Sequence, residues 1–245
     1  MSTAALAETR TFADAKALAN DVADWLCGRA QASTGPFAIS LAGGSTPRGL
    51  YQRLAASDIA ARFPWNRVHW FWGDERFVPP DHNDSNFRMV REALLSRVPV
   101  PAENIHPVPT EGITPEQAAA SYEATLKSFY GGTTLAADRP LFAVTLLGVG
   151  AEGHTASLFP GQPALQEMRR WVVAVIGAKS EARITLTYPA LDSSRDLAFV
   201  VTGAEKRPAV ARAQAGDAAL PAGRIRPVGQ LHWFLDSAAA PERTG

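Results

Sequence analysis

A few short stretches of this chain place reactive side chains beside glycine-rich turns. In Gly148-Val149-Gly150-Ala151-Glu152-Gly153-His154-Thr155 a histidine closes such a turn. Imidazole exchanges a proton near neutral pH, so His154 is a candidate general acid or base. In Gly43-Gly44-Ser45-Thr46-Pro47 the glycines let backbone N–H groups approach an anion, and two hydroxyls add donors. A helix beginning near Pro47 aims its positive end at the same spot. A phosphate suits this cradle, and an ordinary helix start capped by Ser45 or Thr46 suits it equally. The pentapeptide is neither a Walker loop, because no Gly-Lys-Ser/Thr follows, nor the GxGxxG of dinucleotide folds. Gly73-Asp74-Glu75-Arg76 sets an arginine beside two acids. Its guanidinium either grips a phosphate or pairs with Asp74 or Glu75. Lys179 and Arg183 either bring positive charge to the same rim or stand as a solvated pair.

The remaining histidines, His69, His82, His106 and His232, lack the paired spacing of a zinc site and read as packing or surface residues. No metal or cofactor is expected. Cys27 has no basic neighbour to activate it and reads as a small packed hydrophobe.

Strands and helices must position these groups. Phe12 to Ala30 repeats apolar residues at three- and four-residue steps, which predicts a helix. Short apolar runs predict strands at 37–42, 68–72, 141–147, 171–175, 184–187, 197–202 and 231–235. Helical patterns lie between them at 48–55, at 86–98, and from Pro115 to about Tyr130, the last with a capping box begun by Thr114. Strands alternating with helices imply an α/β fold, a mainly parallel sheet covered on both faces. In such sheets ligands bind at the strand C-termini, which is where the three glycine turns fall.

Composition narrows the classes. The 245 residues are 46% hydrophobic and 20% charged, the proportions of a globular protein. Without repeats, low-complexity tracts or a long linker, residues 1–245 read as one domain. Lys plus Arg and Asp plus Glu both number 24, so no net field draws in nucleic acid or an acidic membrane. No window approaches the roughly 20 apolar residues of a membrane span, and Met1 to Asn20 lacks the basic start and apolar run of a signal peptide. With a single cysteine, a cytoplasmic protein is expected, as a monomer or small homo-oligomer.

Taken together, Leu41-Ala42-Gly43-Gly44-Ser45-Thr46-Pro47, Trp72-Gly73-Asp74-Glu75-Arg76-Phe77-Val78-Pro79, Asp84-Ser85-Asn86-Phe87-Arg88-Met89 and Gly148 through Pro160 resemble the 6-phosphogluconolactonase family in order and spacing. The resemblance runs from about Phe12 to Phe234. It implies a Rossmann-like sheet shared with glucosamine-6-phosphate deaminases and ribose-5-phosphate isomerases. It also implies hydrolysis of 6-phospho-D-glucono-1,5-lactone, the second step of the oxidative pentose phosphate pathway. His154 takes the family's general-base position, with Glu152 or Asp74 orienting it. Gly43, Gly44, Ser45, Thr46, Arg76 and Lys179 would hold the phosphate. Glu152 stands where the family usually has aspartate. Two alternatives are a glucosamine-6-phosphate deaminase/isomerase and a non-catalytic sugar-phosphate sensor. The deaminases resemble Ile-Ala-Phe-Asn-Glu-Pro after their histidine, whereas this chain reads Thr155-Ala156-Ser157-Leu158-Phe159-Pro160. A sensor needs an output module, and no helix-turn-helix precedes the α/β pattern.

Overall fold

A computed structural model describes residues 7–242, so Met1 to Leu6 of the expected leader-free N-terminus lie outside the described residues. Six strands form one all-parallel sheet: β1 (Glu8–Phe12), β2 (Phe37–Leu41), β3 (Val68–Trp72), β5 (Phe142–Leu147), β8 (Ser194–Val201) and β9 (Gln230–Asp236). Their order is β1-β9-β8-β5-β2-β3. Every residue of β2 is buried, as burial on both faces of a parallel sheet requires. A second, three-stranded antiparallel sheet is made of β4 (Asp74–Arg76), β7 (Arg183–Leu186) and β6 (Val172–Val175).

The mainly parallel central sheet is as expected, and the expected strands at 171–175 and 184–187 lie outside it in this second sheet. The seven residues between β6 and β7 are too few for a crossover helix, so those strands return as a hairpin. The apolar repeat predicts a helix back to Phe12 and no strand before it. Instead Phe12 ends β1, and helix α1 (Ala15–Ala32) starts after Asp14, whose side chain accepts from Ala17 N–H at 2.8 Å. Cys27 is fully buried in α1, and burial pushes its thiol pKa upward.

Helix α2 (Ser45–Leu54) begins three residues earlier than the pattern from Arg48 suggests, and its N-cap is Gly44 rather than Ser45 or Thr46. After the one-turn α3 (Ser57–Ala60), α4 (Asn86–Ala93) stops short of Val98 and gives way to a 3₁₀ turn at Leu95–Arg97. The residue before Pro99 disfavours helix, which moves the end upstream. α5 (Pro115–Tyr130) carries the expected capping box, with both Thr114–Gln117 bonds formed. The short α6 (Tyr188–Asp192) and α7 (Arg207–Gln214) complete the chain.

β2 has β3 on one side and β5 on the other, so the chain leaves β2 and β5 on opposite sides of a switch in strand order. Crevices open at such points, outside the carboxyl ends of the strands.

Candidate active site

A cavity of about 260 Å³ occupies that crevice. It is walled by the segments that follow β2, β3, β5 and β8, among them Gly43, Gly44, Ser45, Thr46, Asp74, Arg76 and His154. Residues up to 165 positions apart in the chain, from Leu41 to Lys206, thus meet because parallel strands deliver their ends to one edge.

The cavity lining carries cationic side chains. Gly44 adopts φ 108°, a conformation glycine tolerates, and offers α2 no side-chain cap, so the first N–H groups of the helix remain for an outside acceptor. Thr46 Oγ1 and Thr202 Oγ1 share a hydrogen bond of 2.6 Å across two loops. Gly43 must lack a Cβ, because one would overlap the side chain of Asn86. Arg76 is not spent on an acid. Its guanidinium donates to Asp84 C=O at 2.7 Å and faces the cavity, while Glu75 turns inward. The Glu75 carboxylate accepts from the N–H groups of Arg76, Asn86 and Phe87, each at 2.7 Å, and so starts α4. Burial pushes its pKa up to about 7 against the pull of those donors. Arg183 lies directly opposite Arg76 in the β4–β7 pair, a like-charge pairing that an anion would relieve. Arg183 leans on Glu181 at 3.4 Å and does not line the cavity.

The imidazole of His154 lines the same cavity. Gly150 N–H donates to His154 C=O at 2.9 Å, and Gly153 N–H to Gly150 C=O at 2.8 Å, which folds the glycine turn back on itself. The ring lies against the Cα of Gly150, where any Cβ would overlap it. It also packs on Phe159, with centroids 4.8 Å apart. Ala156 is the one non-glycine described residue with positive φ, 46°, in the turn closed by Leu158 N–H to Thr155 C=O. A strained residue of this kind beside a cavity is a common mark of a functional site.

The two expected acids differ in placement. Asp74 lines the cavity and accepts from Ser157 Oγ at 2.7 Å, which ties the second strand end to the histidine turn. Glu152 does not line it. Its Oε1 approaches His154 Nδ1 to 3.1 Å without an aligned hydrogen bond, leaving that nitrogen without a partner. Burial raises the Glu152 pKa, but its own N–H, the imidazole and Lys179 outweigh burial and leave it below the usual carboxylate value.

Lys179 is not delivered to the cavity. Its ammonium sits 3.4 Å from Glu152 Oε1 and 5.1 Å from the centroid of Phe159, behind the imidazole. Lys206 lines the cavity instead, at the start of α7. The sequence held a signal for it: Thr202-Gly203-Ala204-Glu205-Lys206 repeats the strand, glycine, helix order of the other turns. Among the described residues no cluster of three or more His, Cys, Asp or Glu side chains is arranged to hold a metal.

Residues 13–233 match the family model described as glucosamine-6-phosphate isomerases/6-phosphogluconolactonase. The chain belongs to that family. The 6-phosphogluconolactonase of Nostoc sp. is 47% identical over 211 residues, covering 85% of each chain. That of Rattus norvegicus is 39% identical over 217 residues, covering 86% of this chain and 82% of its own. Among solved structures, the 6-phosphogluconolactonase from Trypanosoma brucei superposes with a TM-score of 0.82 at 31% identity, covering 95% of this chain and 97% of its own. A monomeric glucosamine-6-phosphate deaminase reaches 0.80 at 17% identity, over 95% and 98%, which speaks for a common fold alone. This family member therefore shares its sheet with both chemistries, and the residues of the cavity must separate them. None of its described helices is long and apolar enough to cross a membrane.

Proposed function

We propose that the chain hydrolyses 6-phospho-D-glucono-1,5-lactone to 6-phosphogluconate, the lactone-opening step of the oxidative pentose phosphate pathway. One observation carries the reading: a single cavity is lined by an imidazole, an anion cradle and two cations. The phosphate lies among the α2 N-terminus, Ser45, Thr46, Arg76 and Lys206, and the lactone carbonyl reaches His154. Binding at the remote phosphate fixes the reacting carbon against the base and so supports rate as well as affinity.

With Nδ1 beside Glu152, the Nε2 lone pair is the one left for water. His154 takes a proton as the water oxygen bonds to C1, the carbonyl becomes an oxyanion, and collapse breaks the bond from C1 to the ring oxygen. That oxygen receives the proton back from the imidazolium. No covalent enzyme intermediate is needed for an activated ester. Gly150 N–H is committed to His154 C=O, so the amides of Gly148 and Val149 are the donors proposed for the oxyanion.

The family model covers both activities, but the relatives at 47% and 39% identity are 6-phosphogluconolactonases, whereas the deaminase matches at 17% and shares the fold alone. The sensor reading leaves the imidazole without a purpose. In this proposal residues 1–245 act as one domain, a view supported by the continuous buried core and the span of the family match. The protein works in the cytoplasm as a monomer or small homo-oligomer, without nucleic acid, membrane or cofactor. Its one cysteine is free and buried, as suits a reducing compartment.

The test is a coupled assay with freshly made lactone, corrected for spontaneous opening. His154→Ala is expected to lower kcat by about a hundredfold to ten-thousandfold. Undiminished turnover would remove His154 from the mechanism, and ammonia release from glucosamine 6-phosphate would restore the deaminase.

A further inference from the structure

Two fully buried tyrosines stand behind the cavity without lining it. Tyr51, in the second turn of α2, accepts from Ala42 N–H at 3.0 Å and donates to Ala42 C=O at 2.8 Å. Tyr122, from α5, does the same to Trp72, accepting from its N–H at 2.7 Å and donating to its C=O at 3.0 Å. In both cases the clasped residue immediately precedes the glycine of a site loop: Ala42 before Gly43-Gly44, Trp72 before Gly73-Asp74.

Neither backbone unit has an alternative. β3 is an edge strand, so the outward N–H and C=O of Trp72 meet no further strand, and Ala42 lies one residue beyond the end of β2. Both residues are buried, and buried backbone groups without partners are rare because water cannot replace them. A phenol can donate and accept at once, and burial pushes both tyrosine pKa values upward, keeping the O–H in place.

We infer that Tyr51 and Tyr122 are positioning residues: Tyr51 fixes the anion cradle, and Tyr122 fixes the strand end that carries Asp74. The two effects separate because Arg76 is held independently, by its pairing opposite Arg183 and its bond to Asp84 C=O. The kinetic part of the inference rests on the function proposed above.

The experiment combines steady-state kinetics of Tyr51→Phe and Tyr122→Phe, inhibition by inorganic phosphate, and amide hydrogen exchange in the wild-type protein. Tyr51→Phe is expected to raise KM and the phosphate inhibition constant together, about five- to tenfold. Tyr122→Phe is expected to lower kcat by a comparable factor while phosphate inhibition stays within about twofold. The Ala42 and Trp72 amides should be strongly protected from exchange. Equal losses of both parameters in both variants, or no loss in either, would reduce the tyrosines to ordinary core residues. Rapid exchange of either wild-type amide would overturn the inference even if the variants failed to fold. A wild-type protein inert toward lactone and phosphate would sink the proposed function instead, and the exchange result would still decide the clasps.

Discussion

Placement at the level of single atoms separates the cations of this protein. Lys206 faces the cavity, whereas Lys179 is spent on Glu152 and Phe159. Lys206→Gln should therefore weaken phosphate binding by about 1.5–3 kcal/mol, the worth of a hydrogen bond to a charged group, seen as a higher KM. Lys179→Gln should leave KM nearly unchanged and act, if at all, on kcat through Glu152. The reverse pattern in steady-state kinetics would return the phosphate to Lys179. Gly150 offers a second test at this scale. Its φ is not in the left-handed region, so alanine fits the backbone there, but the added methyl must displace the His154 ring. Gly150→Ala should keep the melting temperature within a few degrees and lower kcat by about a hundredfold, because small misplacements of a reacting group are costly. A fully active alanine variant would show that the ring need not sit where it does.

At the scale of elements, the edge strand β3 is covered by a row of aromatic contacts that includes two histidines. His106 stacks on Phe71 with centroids 4.4 Å apart, and its Nε2 lies 3.1 Å from His69 Nδ1. Burial, with a smaller contribution from His69, lowers the His106 pKa from 6.5 to about 4. Between those two values the unfolded chain binds the proton and the folded one does not, so the contribution of His106 to stability is full above about pH 6.5 and is lost as the pH drops toward 4, while Glu75, raised to about 7, contributes in the opposite sense. Thermal melts of the wild-type protein and His106→Phe at several pH values should differ by that loss, the wild type losing stability relative to the variant as the pH drops. An identical slope in the variant would locate the acid sensitivity elsewhere. The second sheet makes a related point: β4 carries the chain past β3 into it, and this pairing, with the bond to Asp84 C=O, holds Arg76 at the cavity.

Across the whole molecule, segments from four strand ends wall one cavity, so a ligand bound there must stabilise the fold as a unit. Product or inorganic phosphate at a hundred times its dissociation constant should add about 2.7 kcal/mol of stability. The corresponding rise in melting temperature should vanish in an Arg76→Gln, Lys206→Gln double variant. A rise that survives both substitutions would place the anion in a different part of the surface.

Much of this architecture was legible in the residue order. β2 and β3 could be read nearly to the residue, because a fully buried strand is a bare apolar run bounded by glycine. The capping box of α5 announced itself through Thr114, Pro115 and Gln117. His154, Asp74, Arg76 and the Gly43–Thr46 cradle were all nameable from type and local turn chemistry, since each lies within a few residues of a strand end. β1, the departure of β6 and β7 into a separate sheet, and which of Lys179 and Lys206 lines the cavity were not. Pairing partners and side-chain direction are settled by contacts between segments far apart in the chain. Local propensity carries no information about which neighbour a polar edge strand will find or which way a long cationic side chain will swing. Residue order thus determined which chemistry this protein has at hand, and tertiary packing decided which of those groups share one cavity, because only there do burial and charge from distant segments act on the same atoms.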